Sequence, residues 1–588
     1  MIRIADFEVT RYDWLISILN PYTGTFTDIV NDPQALAEYY ENHKDMIFVF
    51  YNGRHYDQYI FKGILCGFSA WEVNDWIINQ GRDGWQFSNL FNKIELLNYD
   101  VMQINDGGLK SLEGFMGNDI RETTVSFDIN RPMTNDEIEQ MLFYCHSDVN
   151  NTCEVFLERK ADFDAHMGLI TTFNLPITCI SKTQAQLCAK ILNCNRMEHD
   201  DEFDVEIVST LKLNKYAWVK EWFLNQLAKS KEQGDYIKEP LKTVIGGTPC
   251  ILAWGGGHGA ITQYHMDRKQ GRLLVHCDVS SFYPSLILKY NFISRNSATP
   301  EIYREIYEKR MALKKAGKKK EQAPLKVVLN GGGFGICKDK NSQAYDPRQA
   351  NNICINGQLL LVDLIEKLEY CFGDKIKFVN VNTDGLIVEI DDTDEAWEQL
   401  DDICYEWEHR TGMNLEFDVI EWLFQKDVNN YCFKFADSNK IERKGGMLQE
   451  SSRLKNDLTI LNTALVEYFV HGTPVEKTIL ECNDVTIFQK VVKVSSKYEY
   501  GVHNGEILKD KTFRVYASTD KTNDSIYKHK AEKAFGNNDK FGNTPEHLFI
   551  YNGDISTQTA AEEILKQLDK QWYVNEAKKR LEKFGVVL

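Results

Sequence analysis

The chain contains no run of about 18 apolar residues, so nothing in it reads as a membrane span. Met1 leads at once into Ile2-Arg-Ile-Ala-Asp6, which argues against a signal peptide and for a cytoplasmic protein. The fourteen cysteines form no Cys-x-x-Cys pair and no Cys/His cluster at zinc spacing. A disulfide or zinc framework is therefore not expected, and the cysteines read as reduced core thiols. No low-complexity or disordered stretch is evident, and a hydrophobic fraction of 43% is ordinary for a globular chain. At 588 residues the chain is too long for one core and is expected to divide into about three to five domains. Positive charge is also short: the formal net charge of −18 argues, on its face, against a polyanionic partner.

Distribution matters more than that sum, because salt screens charges beyond roughly 10 Å. From Lys309 to Lys326 there are eight Lys or Arg and one acid, Glu321. The acidic run Glu389-Ile-Asp-Asp-Thr-Asp-Glu395 is expected to face solvent. Two further groups of acids sit in hydrophobic settings, where carboxylates repel one another unless cations lie between them. Two sites of metal-assisted phosphoryl chemistry are the expectation.

The first group is N-terminal. Ile2–Val9 reads as a strand, so Asp6 and Glu8, two residues apart, project from one face. A second strand, Met46–Tyr51, runs through Asn52-Gly-Arg-His-Tyr-Asp57 into a helical stretch. Thr134-Asn-Asp-Glu137 is a capping box that opens a helix to about Lys160. On it Tyr144 and Asp148, four apart, share a face, whereas His146 points elsewhere.

The second group centres on Asp278, at the end of the strand Arg272–Asp278, and Asp384, in the turn of a hairpin formed by Lys375–Val381 and Leu386–Ile390. Ser281-Phe-Tyr-Pro284 opens a helix, whose free amides suit a metal-bound triphosphate. Between the two acids, Arg310 and Lys314 share one helix face and Lys326 and Asn330 another, with Gly317 allowing the turn between these helices. The basic run thus becomes a nucleotide-binding element in which both helices converge on one triphosphate.

Taken in order, Asp6, Glu8, Asp57, Tyr144 and Asp148 resemble the DEDD-type 3′–5′ exonuclease, tyrosine subclass, of family B DNA polymerases. The strand Asp-x-x-Ser-φ-Tyr-Pro, the Lys-x-x-x-Asn helix and the Thr-Asp hairpin resemble motifs A, B and C of the same family, in its compact phage and plasmid-type branch. The resemblance covers roughly residues 1–450. It implies metal binding by Asp6, Glu8, Asp57 and Asp148, water orientation by Tyr144, and contact with a frayed primer end by Asn52, Tyr56, Ser111 and Leu112. For polymerisation it implies two Mg²⁺ ions, with Mn²⁺ as the alternative, on Asp278, Asp384 and the Val279 carbonyl. The incoming dNTP would meet Ser281, Phe282, Tyr283, Arg310, Lys314, Lys326 and Asn330, with Tyr283 excluding a 2′-OH. Trp254, Gly256 and Gly257 resemble the aromatic-x-Gly-Gly linker between the two activities, and Thr383, Asn429, Tyr431 and Lys444 fall at primer-gripping positions. The chain departs from the family where Asn382 and Gly385 replace an acid and a serine, where an extra glycine enters motif B, and where Asn429 stands for a lysine.

The implied architecture is α/β and α+β multidomain: a ribonuclease-H-like exonuclease domain plus a right-hand polymerase. Its expected parts are exonuclease 1–165, connecting region 166–245, palm 246–299, fingers 300–335, palm 336–435, and thumb with a C-terminal extension 436–588. The implied activity is template-directed DNA synthesis with proofreading, by a monomer that replicates a phage-type genome. Its partners would be primer-template and single-stranded DNA, dNTPs and replisome proteins, with no membrane. Priming from a nucleic-acid 3′-OH is favoured over a terminal protein, because only 47 residues separate Asp278 from Lys326. The rival readings are a non-polymerising replication scaffold and a stand-alone exonuclease with a decayed palm. Helical spacing over 559–584 reads as core, and Lys511–Val515 as packing.

Overall fold

The structure is a computed structural model that describes residues 1–268, 271–530 and 538–587. It is a mixed α/β chain of two compact units. The first comprises Met1–Lys182, Glu450–Ala464 and Val475–Glu576, and the second Thr183–Gln449, Leu465–Pro474 and the residues from Ala577 onward. Among the described residues no helix is long and apolar enough to cross a membrane.

In the first unit, strands β1 (Ile2–Val9), β2 (Trp14–Asn20), β3 (Thr25–Val30), β4 (Ile47–Phe50) and β5 (Asn98–Asp100) form a sheet in the order 3-2-1-4-5. The β1–β2 and β2–β3 pairs are antiparallel, while β1–β4 and β4–β5 are parallel, so the sheet is mixed. Alternation decides which face is which. Ala5, Phe7 and Val9 enter a core with Ile16, Ile18, Phe48, Phe50 and Phe61, and this leaves Asp6 and Glu8 on the opposite face. Three helices serve that face: α1 (Asp57–Leu65), α2 (Leu109–Met116) and α3 (Asn135–Glu158). The capping box at Thr134 and Glu137 forms as the sequence leads one to expect.

The later part of this unit holds one three-stranded and one four-stranded antiparallel sheet. Arg514 lies in the strand Thr512–Ala517 and is fully buried. Its guanidinium donates to Gln489 Oε1 at 2.8 Å and to the carbonyls of Gly553 and Asn118 at 2.7 Å each. The Lys511–Val515 segment is therefore interior packing. The helical spacing over 559–584 belongs to two helices, Gln558–Gln567 and Lys570–Glu582, instead of one. Leu568 is extended and bridges Ser518, and the Asp569 amide donates to the Ala517 carbonyl, which breaks the helix.

The second unit is built on a ten-stranded sheet. Its strands are β6 (Leu241–Ile245), β7 (Thr248–Ala253), β8 (Gly256–Ala260), β9 (Tyr264–Asp267), β10 (Arg272–Val279), β11 (Lys377–Val381), β12 (Gly385–Asp391), β13 (Leu415–Asp427), β14 (Asn430–Phe435) and β15 (Ile441–Lys444). β10 is central, antiparallel to β12 on one side and β13 on the other. The helices that bear on the site are α4 (Phe282–Tyr290), α5 (Glu301–Lys315), α6 (Lys319–Asn330) and α7 (Pro347–Phe372). Gly317, at φ +70°, makes the turn between α5 and α6, a left-handed conformation that costs a side-chain-bearing residue energy.

Helix α7 is buried along most of its length, including polar side chains at helical spacing. Asn352, Asn356, Asp363 and Glu366 accept the backbone amides of Glu206, Val208, Lys212 and Asn214, at 2.6 to 2.9 Å. A segment without regular structure is thereby pinned along the helix by side chains that replace the partners a strand would have offered. The acidic run after β11 is not wholly solvated. Glu389 is buried, because Arg272 donates to it at 2.8 Å and Lys377 at 3.1 Å.

Candidate active sites

On the first unit's acidic face, Asp6 and Glu8 are carried by β1, Asp57 opens α1, and Tyr144 and Asp148 come from α3. Asp57 is held toward the strand by accepting the Phe7 amide at 3.2 Å. Glu8, Asp57 and Asp148 are buried. Burial pushes the carboxyls of Asp6 and Glu8 well above the usual range, and the neighbouring acids add to it, Asp57 first for Asp6 and Asp148 first for Glu8. Burial also raises Asp57 to about 8 and Asp148 upward. Tyr144 is pushed up by burial and then by Asp148, Glu8 and Asp6, so its hydroxyl stays protonated within reach of all three.

Sequence reasoning missed the one cation in this cluster. Lys110 of α2 makes a short contact with Asp148, bonds Glu113 Oε1 at 3.0 Å, and lies 4.5 Å from the Tyr144 ring centre. Glu113, fully buried, is lifted to about 8 by burial, with Lys110 opposing. The i, i+3 spacing of Lys110 and Glu113 was visible in the sequence, but nothing there placed them against Asp148.

Residues assigned to a frayed end are spread around this site. Asn52 has φ +69°, and its amide donates to Asp100 Oδ1 at 3.0 Å. Tyr56 bonds Asn74 Oδ1 at 2.8 Å, and its hydroxyl is pushed up by burial and then by Asp57, Glu8 and Asp6. Ser111 and Leu112 are buried in α2, the Ser111 hydroxyl bonding the Gly107 carbonyl.

In the second unit a cavity of about 390 Å³ opens at the end of β10. Asp278, Val279, Thr383 and Asp384 line its floor together with Glu416 of β13. Ser280 through Pro284 form one wall, and Arg310, Lys314, Lys326 and Asn330 supply the other. Residues about a hundred positions apart, Asp278 and Asp384, thus share one cavity. Burial lifts Asp278 to about 7, with Asp384 and Glu416 adding to it and Lys314 opposing. The Val279 amide donates to the Asp384 carbonyl at 2.7 Å, which clips the hairpin turn to the strand end.

Glu416 was not anticipated. It stands directly opposite Asp278 in the β10–β13 register and accepts Ser280 Oγ and Lys314 Nζ, both at 2.8 Å. Arg310 is buried and donates to Ser281 Oγ at 2.8 Å. The Tyr283 ring lies 5.0 Å from that of Phe334, and its hydroxyl is 3.7 Å from Cys354 Sγ. Phe334 belongs to a π-helical turn, Gly331–Gly335, that continues α6. A π turn takes up one additional residue without breaking the helix, which accounts physically for the extra glycine.

The linker glycine Gly256 lies beside Thr383, so the β7–β8 hairpin touches the Asp384 turn. Gly257 packs on Leu252 and Gln358, and Trp254 donates to the Ile237 carbonyl at 2.7 Å. Tyr431 and Lys444 are cross-strand partners, with the ammonium 5.6 Å from the ring centre. Burial raises Tyr431 to about 12, and Glu442, Asp384 and Asp278 add to it. Asn429 sits in the β13–β14 turn, its amide held by Asp427.

No protein-family model and no curated protein matches the chain. Among solved structures it is similar to the family B DNA polymerase from the hyperthermophilic archaeon Pyrobaculum calidifontis, at 13% identity and a TM-score of 0.41. That similarity covers 100% of this chain and 78% of the other.

Proposed function

We propose that the chain is a template-directed DNA polymerase of family B type with a 3′–5′ proofreading exonuclease. One observation carries this reading: Asp278, Asp384, Arg310, Lys314, Lys326 and Asn330 line a single cavity, acids on its floor and cations on its wall. A decayed palm would have no reason to keep that division of charge.

Both acidic sites fit divalent cations. Each gathers hard oxygen donors whose like charges push one another's protonation upward, with only Lys110 or Lys314 as a local counter-charge. Mg²⁺ held at these donors would supply Lewis acidity toward phosphoryl oxygens and a more acidic hydroxyl or water nucleophile.

The chain's own residues do the rest. Arg310, Lys314 and Lys326 meet the triphosphate and offset charge developing on its oxygens, in a cleft where such contacts outweigh those in water. Lys314 must first exchange Glu416 for phosphate. The α4 amides and the Ser281 hydroxyl face the same group. Tyr283, braced by Phe334, closes the floor beneath the sugar and leaves no room for a 2′-OH. Tyr431 and Lys444 hold the primer strand. At the N-terminal site Tyr144 orients the attacking water, Asp6, Glu8, Asp57 and Asp148 hold the cation positions, and Lys110 fixes the Asp148 carboxylate.

In this reading the N-terminal sheet and α1–α3 are the ribonuclease-H-like exonuclease, the second unit supplies palm and fingers, and the protein replicates a phage-type genome. The test is extension of a labelled annealed primer with and without dNTPs and Mg²⁺. Asp384→Ala should abolish extension and retain single-strand hydrolysis, and Asp6→Ala should do the reverse. Extension at the wild-type rate in Asp384→Ala would remove that residue from the reaction.

A further inference from the structure

Cys145 follows Tyr144 on α3 and is fully buried, yet it does not pack as a small hydrophobe. Its Sγ, a carboxylate oxygen of Asp6 and one of Glu8 all lie within 4.8 Å of one another. The thiol donates to the Asp6 carbonyl at 3.5 Å, so the sulfur is directed at β1. Ser17 stands opposite Asp6 in the β1–β2 register and hence on the same sheet face. It too is fully buried, and its hydroxyl has no hydrogen-bond partner among the described residues. Two carboxylates, a thiol and an unsatisfied hydroxyl therefore surround one small volume. Such a group left unpaired in the interior costs free energy that a cation would recover.

We infer that Asp6, Glu8 and Cys145 form a mixed oxygen–sulfur site that takes a thiophilic divalent cation, Zn²⁺ or Cd²⁺, in preference to Mg²⁺. The donor set decides the preference, because thiolate sulfur favours soft cations whereas Mg²⁺ keeps to oxygen. Tetrahedral zinc with these ligand types sets its donor atoms roughly 3.5 Å apart, so the three donors need a contraction of about 1 Å or less. Three protein ligands leave one position for water. Binding forms a metal–sulfur bond and releases the thiol proton to solvent, with no change of oxidation state. The cavity at Asp278, Asp384 and Glu416 offers carboxylate oxygens and no thiol. The two sites therefore differ in cation selectivity, and a soft cation acts on the first before the second. This consequence for hydrolysis rests on the exonuclease reading; the cation site itself rests on the donors.

The full chain is titrated with Cd²⁺ in excess Mg²⁺, following the thiolate-to-cadmium ultraviolet charge-transfer band and measuring stoichiometry by equilibrium dialysis. The wild type is expected to bind one Cd²⁺ per chain at this site with that band. Cys145→Ser should lose the band and bind at least about tenfold more weakly. The double variant Asp6→Asn, Glu8→Gln should do the same although all fourteen cysteines remain, and it decides alone if Cys145→Ser does not fold. A band of undiminished affinity in the double variant overturns the inference, because the cadmium then sits on another thiol. Hydrolysis of a labelled single strand by the wild type in Mg²⁺ is measured alongside. Hydrolysis without a cadmium band sinks the cation site and spares the exonuclease, whereas a band without hydrolysis does the opposite.

Discussion

Asp278 and Gly385 stand directly opposite each other across β10 and β12, and the approach leaves no room for a side chain at 385. A Cβ there would lie 2.7 Å from the Cys277 carbonyl oxygen and 3.1 Å from the Asp278 Cα. The neighbours are backbone atoms of the sheet's central strand, so they cannot rotate aside. A glycine where the resembled family carries serine thus lets the Asp384 turn close onto Asp278.

Gly385→Ala is accordingly expected to push the hairpin away from β10. Overpacking of this kind costs about 1–3 kcal/mol. Primer extension should fall by at least tenfold, while single-strand hydrolysis by the first unit stays at the wild-type level. Equal loss of both activities would mean global unfolding instead of a displaced Asp384.

Tyr283 is held by Phe334 on one side and lies near Cys354 on another. Tyr283→Ala should open the floor of the cavity and raise the ratio of ribonucleotide to deoxyribonucleotide incorporation by about tenfold or more, a loss of roughly 1.4 kcal/mol of discrimination. Competition assays with paired rNTP and dNTP check it. An unchanged ratio would place sugar selection on another residue.

Asp57 and Glu113 rise from ordinary values of 3.8 and 4.5 to about 8 through burial. Both groups bind protons more tightly folded than unfolded. Their contribution to stability is therefore complete below those ordinary values and disappears as the pH climbs through about 8. In EDTA the melting temperature should be higher near about pH 6 than near about pH 9, and Asp57→Asn should flatten the difference. Mg²⁺ should narrow it too, since cations favour the charged carboxylates. A metal-free chain more stable at the alkaline end would contradict the raised values.

Arg514 ties the strand Thr512–Ala517 to Gly114, Asn118 and Gly553 through its guanidinium. Arg514→Met keeps much of the volume but strands those carbonyls and the Gln489 amide oxygen without a donor. About 3–5 kcal/mol of destabilisation is expected, read as a lowered midpoint in urea unfolding. A change below about 1 kcal/mol would imply that water replaces every bond.

Local pattern carried much of the architecture. The alternation in Ile2–Val9, the capping box at Thr134 and the Asp-Gly turn at 384–385 are each fixed by neighbours within a few residues, and each appears where the pattern puts it. The polar face of α7 was not legible. Asn352, Asn356, Asp363 and Glu366 look like a solvated stripe until the segment that donates to them is laid alongside. Glu389 looked solvated for the same reason, its partners Arg272 and Lys377 belonging to neighbouring strands.

By itself the sequence determined which residues carry chemistry: the acids at strand ends, the lysines at helical spacing and the tyrosine one turn before Asp148, because period and chemical type are local properties. Tertiary structure alone decided which of them meet. It set Glu416 opposite Asp278, brought Lys110 against Asp148 and turned Cys145 toward Asp6. Those meetings depend on strand order and helix docking, which the burial of the whole chain selects and no short stretch encodes.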